Sequence, residues 1–346
     1  MQEQFMKKAA VYWALFFLIA MSLMSFMIIK RDTFGMEEPK HTDDTEEVQQ
    51  TFTQVSNSVI VPLKSDPTNQ YFCIPVSVDV TEEGFFVENN YLERKLIIEI
   101  DGLEVDFYQK NQLYGNSSNI SKVEYGYQYN KTYLTLTMND YFECDVLFKN
   151  KCLFLKFTSP QEKYKKRIMI DLGTGKKNED IPIQVANQIR DLLEDDKVKV
   201  YSSRLDEITP GNESVSAFTK AVNADMMILI HMNRVENPEE TGIAFEYNPE
   251  YFIPFLGNTE LTELLIENVT KATGKKIINI TALVPDQTGT DENLLAMVTC
   301  PATLIQINYY DSEDIEQIME DTSYLNNLAQ GIADTVQTGY SILGAQ

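Results

Sequence analysis

The chain has 346 residues, of which 43% are hydrophobic and 11% aromatic, enough to build the cores of two ordinary domains. Its formal net charge is −23, with 29 basic against 52 acidic residues. Because nucleic-acid binding needs a basic surface, this balance argues against a DNA- or RNA-binding function. The four cysteines show neither CxxC spacing nor the density of a disulfide framework, so we interpret them as reduced core residues.

Residues 9–29 are the first predicted element, because these 21 positions hold no charged side chain. A helix of this length would be ~31 Å long at ~1.5 Å per residue, which matches the hydrocarbon thickness of a bilayer. A cleaved signal peptide has a shorter apolar segment and small residues before its cleavage site, so we predict a single-pass signal anchor. Residues 1–8 are too few to form a domain. We therefore expect a cytoplasmic tail, an anchor in the cell membrane and extracytoplasmic C-terminal domains.

Residues 30–54 follow the predicted anchor and are polar and acidic, with little apolar periodicity. Such a segment cannot bury enough apolar surface to fold by itself. We interpret it as a linker between the membrane and the folded part of the chain.

Residues 55–160 contain short β-rich runs separated by Asn, Gly and Asp residues. In "TYLTLTM", Leu134, Leu136 and Met138 alternate with more polar residues, which predicts antiparallel strands with one face in water. The segments "YNKT" and "KNKC" supply hairpin turns. The pattern predicts an antiparallel β-sandwich.

This predicted β-sandwich resembles AMIN domains, which accompany cell-wall amidases and secretins. The resemblance rests on the strand pattern, on "KLIIEIDG" and on the position ahead of the next domain. It implies that the domain binds peptidoglycan or localises the protein. An unrelated β-sandwich spacer is the alternative, because many folds share this strand pattern.

From residue 165 to 342 strands alternate with helices, beginning with the strand "RIMIDLG" and the amphipathic helix "IPIQVANQIRDLLED". This alternation predicts an α/β domain with a mixed, mostly parallel sheet flanked by helices. Ligands of such sheets bind beyond the carboxyl ends of the strands. We therefore expect the functional site at residues 171–175, 202–206, 231–233 and 306–308.

Four segments at these strand ends, in the same order, resemble zinc-dependent N-acetylmuramoyl-L-alanine amidases, which cleave the amide between muramic acid and the first alanine of the peptidoglycan stem. "IMIDLGTG" resembles the family's Asp-Pro-Gly-His-Gly turn, and "SSRLDE" resembles its Thr-Arg-x-x-Asp. "NADMMILIHMN" resembles Ala-Asp-x-x-x-Ser-Ile-His-Ala-Asn, and "CPATLIQINYYDS" resembles Pro-Ala-x-Leu-x-Glu-x-Gly-Phe-x-Ser. The resemblance covers residues 167–342 and implies an amidase-like α/β fold.

The resemblance places the family's three zinc ligands at Thr174, Asn178 and His231. Of these side chains, the imidazole of His231 is the competent zinc ligand. Shifting the alignment by one position would bring in Glu179, but this puts the helix register out of step. The other histidine of the chain, His41, lies in the predicted linker.

The catalytic glutamate of the family falls on Gln306, whose amide can orient a water molecule but cannot act as a base at neutral pH. The resemblance further implies substrate contacts from Arg204, Asp206 and Asn233. A different metal site, for Mg²⁺, Ca²⁺ or Mn²⁺, could form if carboxylates approached His231, although no motif spacing supports it. The carboxylates concerned are Asp171, Glu179, Asp206 and Glu246.

Together these observations predict a catalytically inactive, membrane-anchored amidase-family protein without a cofactor, which binds peptidoglycan or a cell-wall enzyme partner. One alternative is a divergent active amidase that keeps zinc in a site rearranged around His231, Glu179 and Gln306. Another is a structural wall-binding protein that acts through the β domain.

Overall fold

A computed structural model of the chain describes residues 59–174, 180–194, 197–204, 208–249, 256–284 and 293–344. The predicted cytoplasmic tail, membrane anchor and linker lie outside these residues. Within the described ranges no helix is long and apolar enough to cross a bilayer.

The N-terminal described region is a sandwich of two five-stranded sheets, whose strands are numbered in chain order. The first sheet consists, in spatial order, of β1 (Val59–Ile60), β7 (Ile120–Gln128), β8 (Lys131–Met138), β5 (Lys95–Asp101) and β4 (Phe85–Asn90). The second consists of β2 (Leu63–Ser65), β6 (Leu113–Gly115), β3 (Phe72–Pro75), β10 (Cys152–Thr158) and β9 (Glu143–Lys149). A single turn of helix, α1 (Phe107–Lys110), precedes β6. Both sheets contribute to one shared hydrophobic core.

Two features of the sequence form this sandwich as predicted: the alternation of apolar and polar residues along the strands, and the hairpin turns that contain Asn. Leu134, Leu136 and Met138 of β8 are all buried, while the residues between them are partly exposed. Two-residue turns at 129–130 and 150–151 join β7 to β8 and β9 to β10, and all four residues have positive φ. This is the geometry of type I′ hairpin turns. One prediction was wrong, because β2 pairs with β6 in parallel and the sandwich is therefore not entirely antiparallel.

The C-terminal region is an α/β domain built on one six-stranded sheet. In spatial order its strands are β12 (Val198–Ser202), β11 (Lys166–Asp171), β13 (Met226–Arg234), β16 (Ala302–Tyr309), β14 (Gly242–Tyr247) and β15 (Ile277–Ala282). All neighbouring strands are parallel except β14 and β16, which are antiparallel. The predicted mixed, mostly parallel sheet is therefore confirmed, although β15 was not among the predicted strands.

Helices cover both faces of this sheet. They are α2 (Pro160–Lys163), which leads into β11, then α3 (Ile181–Glu194), α4 (Asn212–Ala221), α5 (Asn258–Thr273), α6 (Leu294–Met297), α7 (Ser312–Glu320) and α8 (Thr322–Gly344), with a 3₁₀ turn at Pro238–Glu240. Side chains of α3, α5 and α8 bury one face of the sheet, together with Ile168 and Ile170. Side chains of α4 and α6 bury the other face, together with Met169. The alternation within β11 thus divides its side chains between two cores.

Side chains of the sandwich also pack against the core that α4 and α6 form on one face of the α/β sheet. Residues 54–346 form one compact unit. Glu143 of the sandwich is buried and accepts hydrogen bonds from the hydroxyls of Tyr91 at 2.9 Å and Tyr201 at 2.8 Å. Its other carboxylate oxygen is 3.2 Å from the ammonium of Lys199. The ring of Phe218 from α4 stacks on Tyr91, with centroids 5.6 Å apart. The two domains are therefore joined by a buried polar and aromatic contact.

Candidate functional site

The candidate site lies at the carboxyl ends of β11, β13 and β16, on the face covered by α4 and α6. Met169 and Leu229 belong to the core of that face. Asp171 and His231 follow them two residues later on the same strands, so the strand period of two keeps them on the same face beyond the edge of the core. Pairing of β13 with β16 places Gln306 directly beside His231. The structure thus brings the predicted strand ends together.

Asp171 and His231 form the central contact of this edge. Oδ2 of Asp171 lies 2.6 Å from Nε2 of His231. Burial raises the pKa of Asp171, but the hydrogen bond and charge of His231, with further hydrogen bonds from Ser203 and Gly173, more than offset this effect and hold the pKa below its usual range. Because the carboxylate is ionised at neutral pH, Nε2 of His231 donates a hydrogen bond to Oδ2 of Asp171.

Gly173 presses against this imidazole. The residue has φ +55°, and a Cβ atom built on it would lie 2.7 Å from Cδ2 of His231. Glycine is therefore required for two reasons, the left-handed backbone and the close approach of the ring. The next residue, Thr174, is exposed.

Arg204 lies beneath the turn rather than in the open edge of the sheet. Its guanidinium donates to the backbone oxygens of Gly173 at 2.9 Å and Leu172 at 3.0 Å. It also forms a two-pronged ion pair with Asp180, with nitrogen–oxygen distances of 2.5 and 3.0 Å. Since only 1% of the Arg204 side chain is exposed, these contacts fix the turn and the start of α3 rather than meet a ligand.

Amide side chains continue the site along β13 and β16. Nδ2 of Asn233 donates to Oδ1 of Asn308 at 3.0 Å, and Nδ2 of Asn308 lies 3.3 Å from the backbone oxygen of Glu240. Gln306, His231 and Asn233 are half-buried, so each remains reachable from solvent. The side-chain amides of Gln306 and Asn233 can donate and accept hydrogen bonds but cannot exchange a proton at neutral pH.

The described residues do not fit a zinc ion. They contain no group of three or more His, Cys, Asp or Glu side chains placed to hold a metal. A zinc hydrolase needs three protein ligands and an open position for water. Of the three predicted ligand positions, His231 supplies an imidazole and Thr174 a hydroxyl, while Asn178 lies outside the described residues. At the predicted position of the catalytic carboxylate, Gln306 supplies a neutral amide. Glu246, considered above for a different metal, instead accepts a hydrogen bond from Asn293 at 3.3 Å.

Some predicted residues cannot be placed. Asn178, Asp206 and the alternative ligand Glu179 lie outside the described residues. Two partners found in the structure were missed by sequence reasoning, namely Asp180 and Asn308. Asp180 could have been found from its place just before α3, because its Oδ1 accepts from the backbone of Ile183 at 3.2 Å as a helix N-cap does.

A mostly parallel sheet covered by helices defines an α/β domain, and in this class ligands bind at the carboxyl ends of the strands, where polar side chains lie here. Residues 169–338, just under half of the chain, match the sequence profile of the N-acetylmuramoyl-L-alanine amidase family. The α/β domain is therefore similar in sequence to that family.

Solved structures similar to this chain include three such amidases. The catalytic domain of CwlV from Bacillus (Paenibacillus) polymyxa var. colistinus is 19% identical, with 51% of this chain and 99% of that chain covered and a TM-score of 0.43. The amidase from Clostridium difficile 630 is also 19% identical, covering 51% and 97% with a TM-score of 0.43. The CwlD amidase from Clostridioides difficile, solved in complex with the GerS lipoprotein, is 17% identical, covering 51% and 99% with a TM-score of 0.39. No curated protein matches the sequence.

Proposed function

We propose that this protein is a membrane-anchored, extracytoplasmic member of the amidase family that binds peptidoglycan without cleaving it. The observation that carries this proposal is the side-chain set around His231. One imidazole, one exposed hydroxyl at Thr174 and one neutral amide at Gln306 stand where a zinc amidase needs ligands and a catalytic carboxylate.

The chemistry of these groups explains the expected lack of hydrolysis. Amide hydrolysis by this route needs a metal-bound water and a nearby carboxylate that takes its proton. The side chain of Gln306 has no titratable group, and the carboxylate of Asp171 is buried behind the imidazole of His231. Neither can serve as the missing base on the open side of the site.

The same groups suit a peptide-bearing ligand. Gln306 and Asn233 are half-buried amides at the open edge of the sheet, and each can donate and accept hydrogen bonds. The stem peptides of peptidoglycan present a row of backbone amides with the complementary donors and acceptors. Binding can therefore persist after the hydrolytic groups are lost.

The first part of the chain supports the proposed location. The uncharged residues 9–29 support a membrane anchor. An AMIN-like role for the β-sandwich, which would hold the protein at the cell wall, agrees with its place between the linker and the amidase domain. In this arrangement both domains face the wall.

Zinc analysis of the purified full-length protein in detergent tests the loss of hydrolysis. We expect well below one zinc per chain and no release of stem peptides from purified peptidoglycan. The matched variant restores the family's residues together, as Thr174→His, Asn178→Glu and Gln306→Glu. It should bind about one zinc per chain, since three ligands and a base are then present.

Zinc-dependent hydrolysis by the native protein would contradict the proposal. One tightly bound zinc per chain, with peptide release that a chelator and His231→Ala both abolish, would establish a divergent active amidase instead. Co-sedimentation with insoluble peptidoglycan tests the binding part separately, and native protein that stays in the supernatant would refute it.

A further inference from the structure

The outer face of the second sheet of the β-sandwich carries an apolar strip that crosses four strands. Strand register places Tyr114, Cys73, Phe154 and Leu147 side by side on β6, β3, β10 and β9. The residues that alternate with them lie in the sandwich core: Phe72, Ile74, Leu113, Leu153 and Leu155. The strip therefore faces away from the core, and it is ~14 Å long at ~4.8 Å between neighbouring strands.

Three side chains of this strip reach solvent. Leu147 is 51% exposed and Tyr114 is 40% exposed, while Phe154 is half-buried. The hydroxyl of Tyr114 lies 4.0 Å from Sγ of Cys152 on β10, so the ring extends across β3 and covers Cys73. Because the hydroxyl is directed at these thiols, the exposed part of Tyr114 is its apolar ring.

Exposed lysines surround the apolar strip. Lys64 lies next to Tyr114 on β2. The strand period of two puts Lys149 of β9 and Lys156 of β10 on the same face, one on each side of the strip. A carboxylate opposite Lys156 in the register, that of Asp145, is already paired with another lysine. We call this surface, formed by the strip and its three lysines, the lysine-rimmed face.

The lysines of this face differ from those of the first sheet. On the first sheet, Lys122 is paired with Glu124 at 2.8 Å, and Lys131 is paired with Glu99. Lys64, Lys149 and Lys156 form no ion pair with any other residue that the structure describes. On a chain with a net charge of −23, three unpaired ammonium groups at one face make it locally basic.

An apolar strip with a rim of unpaired lysines fits the surface of an anionic lipid bilayer. Aliphatic and aromatic side chains such as Leu147 and Tyr114 enter the boundary between the headgroups and the acyl chains. The lysine stems lie along that boundary, while their ammonium groups meet the anionic headgroups. A soluble polyanion would satisfy the lysines but would leave the apolar strip in water.

We propose that the lysine-rimmed face docks on the anionic lipid bilayer in which the chain is anchored. This docking rests on the proposed membrane location and goes beyond it, because it fixes which side of the sandwich meets the lipid. The predicted linker, residues 30–54, could span up to ~80 Å at ~3.3 Å per residue, so its length permits the contact. Docking does not depend on whether the α/β domain binds peptidoglycan.

Lysine acetylation of the full-length protein in vesicles tests the docking. The vesicles consist of phosphatidylcholine alone or contain ~30% phosphatidylglycerol, and mass spectrometry follows a membrane-impermeant acetylating reagent at each lysine. In anionic vesicles Lys64, Lys149 and Lys156 should react at least ~3-fold more slowly than in neutral ones, because the bilayer covers them. Lys122 of the first sheet should react at the same rate in both. Adding ~0.5 M NaCl should remove most of the protection, because salt screens the headgroup charge.

Removing charge from the rim should release the face from the bilayer. In the double variant Lys149→Gln with Lys156→Gln, Lys64 should react as fast in anionic as in neutral vesicles. The matched control, Lys122→Gln with Lys131→Gln on the first sheet, should leave the protection of Lys64 unchanged.

Removing apolar surface tests the contact with the lipid itself. Leu147→Ser and Tyr114→Ala should each lower the protection of Lys64 at least ~2-fold, because less apolar surface enters the bilayer. Phe86→Ser is the matched control, since Phe86 is 61% exposed on the first sheet, and it should have no effect.

Four outcomes would overturn the proposal. They are equal acetylation of the three lysines in both kinds of vesicle, slowing at Lys122 as great as at Lys149, equal protection by soluble polyglutamate in neutral vesicles, and protection in neutral vesicles that rises with protein density. The last would make the face a self-association surface. A chain that does not enter neutral vesicles, and that ~0.5 M NaCl releases from anionic ones, would lack the proposed anchor but would support docking. The failure of the anchor and the failure of docking are therefore distinguishable.

Discussion

Polar side chains have opposite roles in two regions of the α/β domain. We call them the corner, formed by Arg204 and Asp180 beneath the first turn, and the edge, formed by Gln306 and Asn233 along β13 and β16. In the corner, the buried Arg204 is held by Asp180 and by two backbone oxygens. At the edge, Gln306 and Asn233 are half-buried and present neutral amides to solvent. The corner therefore maintains the fold, whereas the edge determines which chemistry is possible.

The corner should show the largest response to mutation. Arg204→Ala leaves the carboxylate of Asp180 and two carbonyls without the guanidinium, and should lower the free energy of unfolding by about 3–5 kcal/mol. Urea unfolding at pH 7 measures the change. The matched control is Arg190→Ala, an exposed arginine on α3, which should shift stability by less than about 0.5 kcal/mol. Equal effects of the two variants would show that the corner does not stabilise the fold.

The contact between the corner and the edge should show an intermediate response. Gly173→Ala places a Cβ atom 2.7 Å from the ring of His231 at a positive φ, and should cost about 2–4 kcal/mol of unfolding free energy. Gly102→Ala separates the two causes, because Gly102 has φ +74° but no atom within 4 Å of the added Cβ. The control should cost about 1 kcal/mol. If both substitutions cost the same, the imidazole does not press on the turn.

The smallest expected effect is a pH dependence at the edge. The pKa of Asp171 is lower in the folded chain than its usual value, so its ionised form stabilises the fold. This contribution is complete above the unfolded pKa of about 4 and is lost as pH falls through the lower folded pKa. Asp171→Asn should therefore be less stable than the native protein by about 1–2 kcal/mol at pH 7, with the difference shrinking below about pH 4.

Unfolding curves at several pH values measure this difference. Asp79→Asn is the control, because Asp79 is exposed on the sandwich. A stability difference for Asp171→Asn that grows as the pH falls would reverse the expected sign and contradict the assignment.

The junction between the domains limits one otherwise obvious experiment. Removing residues 55–160 would also remove Glu143 and Tyr91, which pack on Tyr201 and Phe218 of the α/β domain. The exposed aromatic surface would then disturb the remaining domain. Single substitutions such as Tyr114→Ala are therefore the better way to separate the roles of the two domains.

Much of the fold was predictable because it depends on local patterns. Two-residue turns with Asn supplied positive φ at 129–130 and 150–151, and an alternating strand such as β8 buried one of its faces. β15 carries the β-rich run "IINITA" after Gly274, a signal that could have been used. The parallel pairing of β2 with β6 could not be predicted, because these strands are too short for their pattern to indicate direction.

Local periodicity and composition were enough to predict the α/β architecture and the residue types at the strand ends. Which polar groups meet depends instead on the tertiary structure. His231 contacts Asp171, which lies 60 positions earlier in the chain. Arg204, buried beneath the turn, contacts Asp180, which lies 24 positions earlier. The tertiary structure also lays Tyr114 across the thiols of two neighbouring strands. Such contacts depend on strand order and register, which are set by the packing of whole sheets.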